Sequence, residues 1–154
     1  MPIRARTLWR VPVFCIVASW ISYYLTVYLG GFFFAVQTTR ADGVIEVSAD
    51  PLRSVLFSGA LFLIVLFAGG LWFFRSMTKK EIAVSAAITS ALYLALTLAQ
   101  MAVPGLSLSL SMILIKIQNW TGTMGNFLYR LTKHLTLSTL LANLSPLLFI
   151  PFGK

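Results

Sequence analysis

The chain has 154 residues, 58% of them apolar and 14% aromatic, with only 10% charged. Soluble domains carry about 25% charged and about 45–50% apolar residues, so the composition argues against an ordinary water-soluble domain and points to an integral membrane protein. Its 12 Lys and Arg against 4 Asp and Glu give a formal charge of +8. Because these basic residues lie between apolar runs, the excess reads as a topology signal with attraction for anionic lipid, and not as a nucleic-acid footprint.

A hydrocarbon core about 30 Å thick needs ~20 apolar helical residues, and four runs meet that requirement. The first, Val11 to Val36, carries no charge. Wholly helical it would reach about 39 Å, so it is expected to tilt or to enter the interface. Arg4, Arg6 and Arg10 precede it, but the run is too long for the ~7–15-residue core of a cleaved signal peptide, so it is expected to be retained as a span. Cys15, the single cysteine, cannot form an internal disulfide or a CxxC pair and reads as a packing residue.

The following loop, Gln37 to Arg53, holds Asp42, Glu46 and Asp50 beside Arg40 and Arg53. Asp50-Pro51 is a helix start, an N-cap acceptor before a proline at the first helical position. The second run is Ser54 to Phe74. Thr78-Lys79-Lys80-Glu81 is a capping box before the third run, Ile82 to Val103, and the cap is the expected role of Glu81. Arg75, Lys79 and Lys80 lie in this tight connection, on the same side as the N-terminal arginines if the first two spans form an antiparallel hairpin. The positive-inside rule then makes that side cytoplasmic. Trp9 and Trp72 fall near the inner boundary, and Phe32, Phe33 and Phe34 near the outer one.

Pro104-Gly105 is expected to end the third span. Leu106 to Gln118 is too short to cross and reads as re-entrant or interfacial, and Trp120, Gly122 and Gly125 as a turn at the membrane surface. A helix is then expected from Asn126, with Arg130 and Lys133 on one side, running into the fourth run, His134 to Phe152. Pro146 is expected to kink that run. A five-span alternative would have 106–128 cross and would place Lys116 near mid-membrane, at about 2.5–3.5 kcal/mol unless it snorkels or pairs.

Lipid offers little hydrophobic drive between helices, so close approach relies on small side chains at four-residue spacing. Ala18, Ser22, Thr26 and Gly30 form one such stripe, and Ala83, Ala87, Ala91, Ala95 and Ala99 another. Both are expected to make tight helix contacts, so Ala91→Leu should loosen the assembly. Asn143 and Gln100 are the candidate residues for a polar path or an interhelical hydrogen bond, the latter being the expected role of Asn143.

No run contains an interior carboxylate of the kind that marks proton relays. GxSxG, GxGxxG and P-loop patterns are absent, and His134 has no second histidine beside which to ligate a metal. No catalytic, cofactor or metal site is therefore predicted.

The residues predict a single-domain, all-α, polytopic integral membrane protein over residues 1–154. Its four transmembrane helices are 11–36, 54–74, 82–103 and 134–152, with an interfacial or re-entrant segment, 106–130, before the last. The expected function is that of a non-enzymatic accessory, scaffold or assembly subunit. The alternative is a small-solute transporter or channel formed by oligomerised four-helix units, with Asn143, Gln100 and Tyr23, Tyr24 and Tyr28 lining the path. A lipid-modifying enzyme using Arg130, Lys133 and His134 is a third reading. The expected partners are the lipid bilayer, anionic lipids included, and another membrane protein or a second copy of the chain. The expected location is a bacterial cytoplasmic membrane, with the N-terminus in the cytoplasm.

Overall fold

The computed structural model describes residues 7–39, 43–103 and 107–154. The Pro104-Gly105 turn, Arg4, Arg6, Arg40 and Asp42 lie outside these residues.

Helix α1 spans Arg10–Phe34. It stops short of the predicted end of the first run because the chain becomes extended at Ala35. Strand β1, Ala35–Thr39, pairs antiparallel with β2, Ile45–Ala49, in the register Ala35↔Ala49 to Thr39↔Ile45. Val36, Thr38 and Thr39 on β1 and Ile45 and Val47 on β2 supply the β-branched side chains that suit a pleated ribbon, and Gly43 has a positive φ of 81° just before β2. The stretch read from sequence as a loop is thus a small hairpin.

Helix α2 runs Pro51–Ala68 and continues as a π-helical turn over Gly69–Phe73. It begins before its apolar run, since Asp50 caps it: the Leu52 and Arg53 amides donate to Asp50 Oδ1 at 2.8 and 3.1 Å. Glycine is needed in the π turn, because a Cβ at Gly69 would stand 2.7 Å from the Phe14 ring and 2.8 Å from that of Phe149. At Gly70 it would strike the ring of Phe152.

Helix α3, Lys79–Ala102, opens with the predicted capping box. The Thr78 amide donates to Glu81 Oε2 at 2.9 Å, and the Glu81 amide to Thr78 Oγ1 at 3.3 Å.

Residues Leu108–Thr132 form one 25-residue helix, α4. This corrects the expected surface turn at Trp120, Gly122 and Gly125 and the separate helix start at Asn126. Glycine inside a helix costs only about 1 kcal/mol, and a Cβ at Gly125 would make an ordinary contact with Ala142 Cβ at 3.5 Å. The Thr121 and Thr123 hydroxyls donate back to the Gln118 and Trp120 carbonyls, keeping these polar groups satisfied within the helix.

Helix α5, Leu135–Ala142, is followed by a 3-10 helix, Ser145–Phe152. The break expected at Pro146 therefore falls at Asn143 and Leu144, with Pro146 in the first turn of the new helix, where a missing amide hydrogen is tolerated.

The start of α1, the α2–α3 connection and the C-terminus share one end of the bundle. Arg10 Nη1 donates to Ser76 Oγ at 2.9 Å, Ser85 Oγ to the Leu8 carbonyl, the Lys79 amide to the Lys154 carbonyl at 3.1 Å, and the Lys154 amide to the Met77 carbonyl at 3.0 Å. The β-hairpin marks the other end. The start of α1 and the C-terminal residue thus lie at the same end of the bundle.

Among the described residues, four segments are long and apolar enough to cross a membrane: Arg10–Phe34, Pro51–Phe73, Lys79–Ala102 and Leu135–Phe152. Helix α4 is placed among them. Its centre meets α1 at Ser19, and its last turns reach the N-terminus of α2 around Pro51–Val55.

The core is aromatic. The Trp120 indole is fully buried and stacks on Phe62 at 5.1 Å and 6° and on Phe149 at 5.3 Å and 21°. Phe74 and Phe14 meet Phe149 edge-on at 4.8 and 5.8 Å. Cys15 lies in this cluster, fully buried.

Candidate functional site

One group of polar side chains lies between α4, α5 and the inner face of α3. Asn143, at the break after α5, is buried and donates its Nδ2 to Thr97 Oγ1 on α3 at 2.8 Å. Beside it, a cleft of about 220 Å³ opens between α4 and α5. Gln118, Thr121, Asn126 and Tyr129 line it from α4, and Ser138, Thr139 and Asn143 from the other side. Gln118 also donates to the Tyr93 carbonyl of α3 at 3.2 Å.

Asn143 alone among these is a sequence-predicted site residue. Gln100, half-buried near the end of α3, is not part of the cleft lining. The α4 contributions were missed because their stretch read as a turn. The usable signal was the spacing of Gln118, Thr121, Gly122, Gly125, Asn126 and Tyr129, which repeats every three or four residues on one helical face.

The predicted tyrosines do something else. Trp20, Tyr23 and Tyr24 of α1 surround the Lys116 ammonium, which stands 5.7, 5.2 and 5.5 Å from their ring centroids. Cation–π attraction of this kind strengthens as water is removed. It gives the one basic residue in the middle of the α4 sequence a partner in an apolar setting. Tyr28 stacks on Tyr24 at 6.1 Å.

The two small-residue stripes part company. On α1, Ala18, Ser22 and Gly30 are buried and Thr26 is half-buried, its hydroxyl donating to the Ser22 carbonyl at 2.8 Å. On α3, Ala83 is half-buried, while Ala87, Ala91, Ala95 and Ala99 are exposed. The buried face of α3 consists of Ile82, Ser85, Ala86, Thr89, Ser90, Tyr93 and Thr97. Hydrogen bonding sets this rotation: Ser85 reaches the Leu8 carbonyl, and Thr97 accepts from Asn143. Within the chain, the α3 alanines from Ala87 to Ala99 therefore face outward.

At the hairpin end, Arg130 and Lys133 border a recess of about 390 Å³ with Ala49, Pro51, Ser54 and Val55. His134 is exposed and caps α5 from outside that recess; its amide donates to Thr132 Oγ1 at 3.3 Å. Arg130, Lys133 and His134 thus do not converge on one point. Among the described residues, no three His, Cys, Asp or Glu side chains come together.

Comparison with protein-family models, with curated proteins and with solved structures finds no match.

Proposed function

We propose that the chain is an integral membrane protein that crosses the bilayer four times, with both termini on the cytoplasmic side. It acts as a non-enzymatic accessory or scaffold subunit whose α3 outer face packs against another membrane protein. The threading is supported by charge: Arg10, Arg75, Lys79, Lys80 and Lys154 belong to the end that carries the start of α1 and the α2–α3 connection, as the positive-inside rule requires of a cytoplasmic face. Helix α4 is read as adding no crossing: it is not among the four candidate spans, and its C-terminal turns lie at the hairpin end.

The observation that carries the role is the exposed row Ala87, Ala91, Ala95 and Ala99, set beside Ile88 and Leu92. Small side chains at this spacing let a second helix backbone approach closely, which is the main source of helix association in lipid. The centre of the bundle is filled by Trp120 between Phe62 and Phe149, which favours a structural subunit over a conduit within one chain.

A cysteine placed at Ala91 should cross-link in native membranes to one defined membrane protein, and Ala91→Leu should abolish co-purification of that protein in mild detergent. Failure of both would overturn the role. A reporter fused after Lys154 should read out as cytoplasmic; an external reading would overturn the threading.

The α4–α5 cleft favours one second reading, a solute path completed by oligomerisation. Flux by the purified chain alone in proteoliposomes, lost in Asn143→Leu, would replace the scaffold reading with that one.

A further inference from the structure

A second cavity is separate from the polar cleft. It is a groove of about 550 Å³ between α1 and the second half of α2, at the end that carries the start of α1. Val13, Phe14 and Val17 line it from one side, and Ile64, Val65 and Ala68 from the other. Phe14 is turned toward the core, against Phe74 and Phe149, so aromatic carbon backs the groove.

Its mouth has a different chemistry. Arg10 lies there with its guanidinium fixed by Ser76 Oγ at 2.9 Å. Trp9 and Trp72, 59% and 81% exposed, flank it. Arg75, Lys79 and Lys80 follow in the adjoining connection. Among the described residues no acidic side chain lines the groove, and the nearest carboxylate in sequence, Glu81, accepts the Thr78 amide within its cap.

The lining on α1 extends from Trp9 to Ile21, about 18 Å at 1.5 Å per residue, which is close to the depth of one leaflet of a ~30 Å hydrocarbon core. Indole rings at the mouth are the side chains that prefer the headgroup level.

We propose that this groove binds an anionic diacyl phospholipid of the cytoplasmic leaflet. One acyl chain lies along Val13, Val17, Ile64 and Ala68, and the phosphate rests against Arg10. The apolar groove selects a chain, and Arg10, with no acidic side chain among the described residues of the lining, selects an anionic headgroup over a zwitterionic one. Ser76 holds the guanidinium at the mouth before lipid arrives, so less side-chain freedom is lost on binding.

The site rests on the membrane-spanning reading, and the two can fail separately. Carbonate extraction of native membranes tests the reading itself: release of the chain with peripheral proteins would overturn insertion and the lipid site with it. The site is tested on the full-length chain, delipidated in detergent and titrated with phosphatidylglycerol or phosphatidylcholine under native mass spectrometry. Phosphatidylglycerol should bind the more tightly. Arg10→Gln should weaken it about fivefold, as expected for one basic group at a membrane surface, and weaken phosphatidylcholine, whose choline cation offsets its phosphate, by less. Arg130→Gln, at the opposite end, should alter neither. Ala68→Phe should displace both lipids by filling the groove. If that variant does not fold, Arg10→Gln, checked for an unchanged melting temperature, decides alone. Equal affinity of the wild-type chain for the two lipids, or an Arg10→Gln variant that keeps the full preference, would overturn the proposal.

Discussion

Helices α2 and α3 are both apolar enough to cross a membrane, yet they are fastened to the bundle in different ways. Helix α2 buries Leu61, Phe62 and Val65 and is held by the ring of Phe62 on Trp120. Helix α3 buries Ser85, Thr89, Ser90 and Thr97 and is held by hydrogen bonds, from Ser85 to the Leu8 carbonyl and from Asn143 to Thr97. Outside, α2 presents Leu56, Leu63, Ile64 and Phe67, whereas α3 presents its alanines interleaved with Ile88, Leu92 and Leu98. In a bilayer, large apolar residues are equally at home inside and outside. Hydroxyls, which need partners, therefore mark the inner face more reliably than hydrophobicity does.

The aromatic fastening should break with the largest effect. Trp120→Ala removes the ring sandwiched between Phe62 and Phe149 and leaves a cavity at the centre. A loss of about 3–5 kcal/mol is expected for a buried aromatic cut to alanine. It should appear as a large fall in melting temperature in detergent and as release of α4 to proteolysis. A shift of only a few degrees would show that the stack is not the main joint.

The polar fastening should break more gently. Asn143→Leu leaves the Thr97 hydroxyl without its donor and should destabilise by about 0.6–2 kcal/mol, the range of interhelical hydrogen bonds in membranes. A double-mutant cycle with Thr97→Val isolates the pair, because each single change removes the same bond. Additive losses would mean that Asn143 acts through the cleft lining instead.

Local chemistry made the helix starts readable: Asp50-Pro51 and Thr78-Glu81 form the caps that their spacing implies. The four apolar segments were readable from length alone. Helix α4 was not. Its glycines and polar residues resemble a turn when taken singly, and only contact with α5 and the Trp120 stack turns them into a helical face. The rotation of α3 was also hidden, since a row of alanines and a row of hydroxyls lie on one helix and both can serve as the inner face. Partners distant in sequence, Leu8 and Asn143, decide between them.

The cap of α2 gives a pH dependence. The Arg53 amide, bonded to the Asp50 carboxylate, holds its pKa below the ordinary value, helped by the Leu52 amide and by the Arg53 and Arg130 charges and opposed by desolvation. A folded-state pKa below the unfolded one contributes stability that is present above the unfolded value, about 3.9, and is lost as pH falls through the folded value. The melting temperature should therefore be insensitive to this group near neutrality and fall on acidification below about pH 4. Asp50→Asn should keep a cap but lose this part of the acid dependence. An identical acid profile in the variant would assign the dependence elsewhere.

The smallest expected effect is the sharpest test of how the two helices differ. Ala91 lies exposed on α3, so Ala91→Leu should change the melting temperature of the isolated chain hardly at all, within about 0.5 kcal/mol for a substitution away from packed features. The same volume added at the alanine face should block the close approach of a partner helix, because backbone proximity there depends on small side chains. The variant thus separates two properties that most substitutions confound. Stability lost in the isolated chain would place Ala91 inside the fold and return the alanine row to internal packing. Stability retained with the partner lost would leave the row as the outward joint and the hydroxyl face as the inward one.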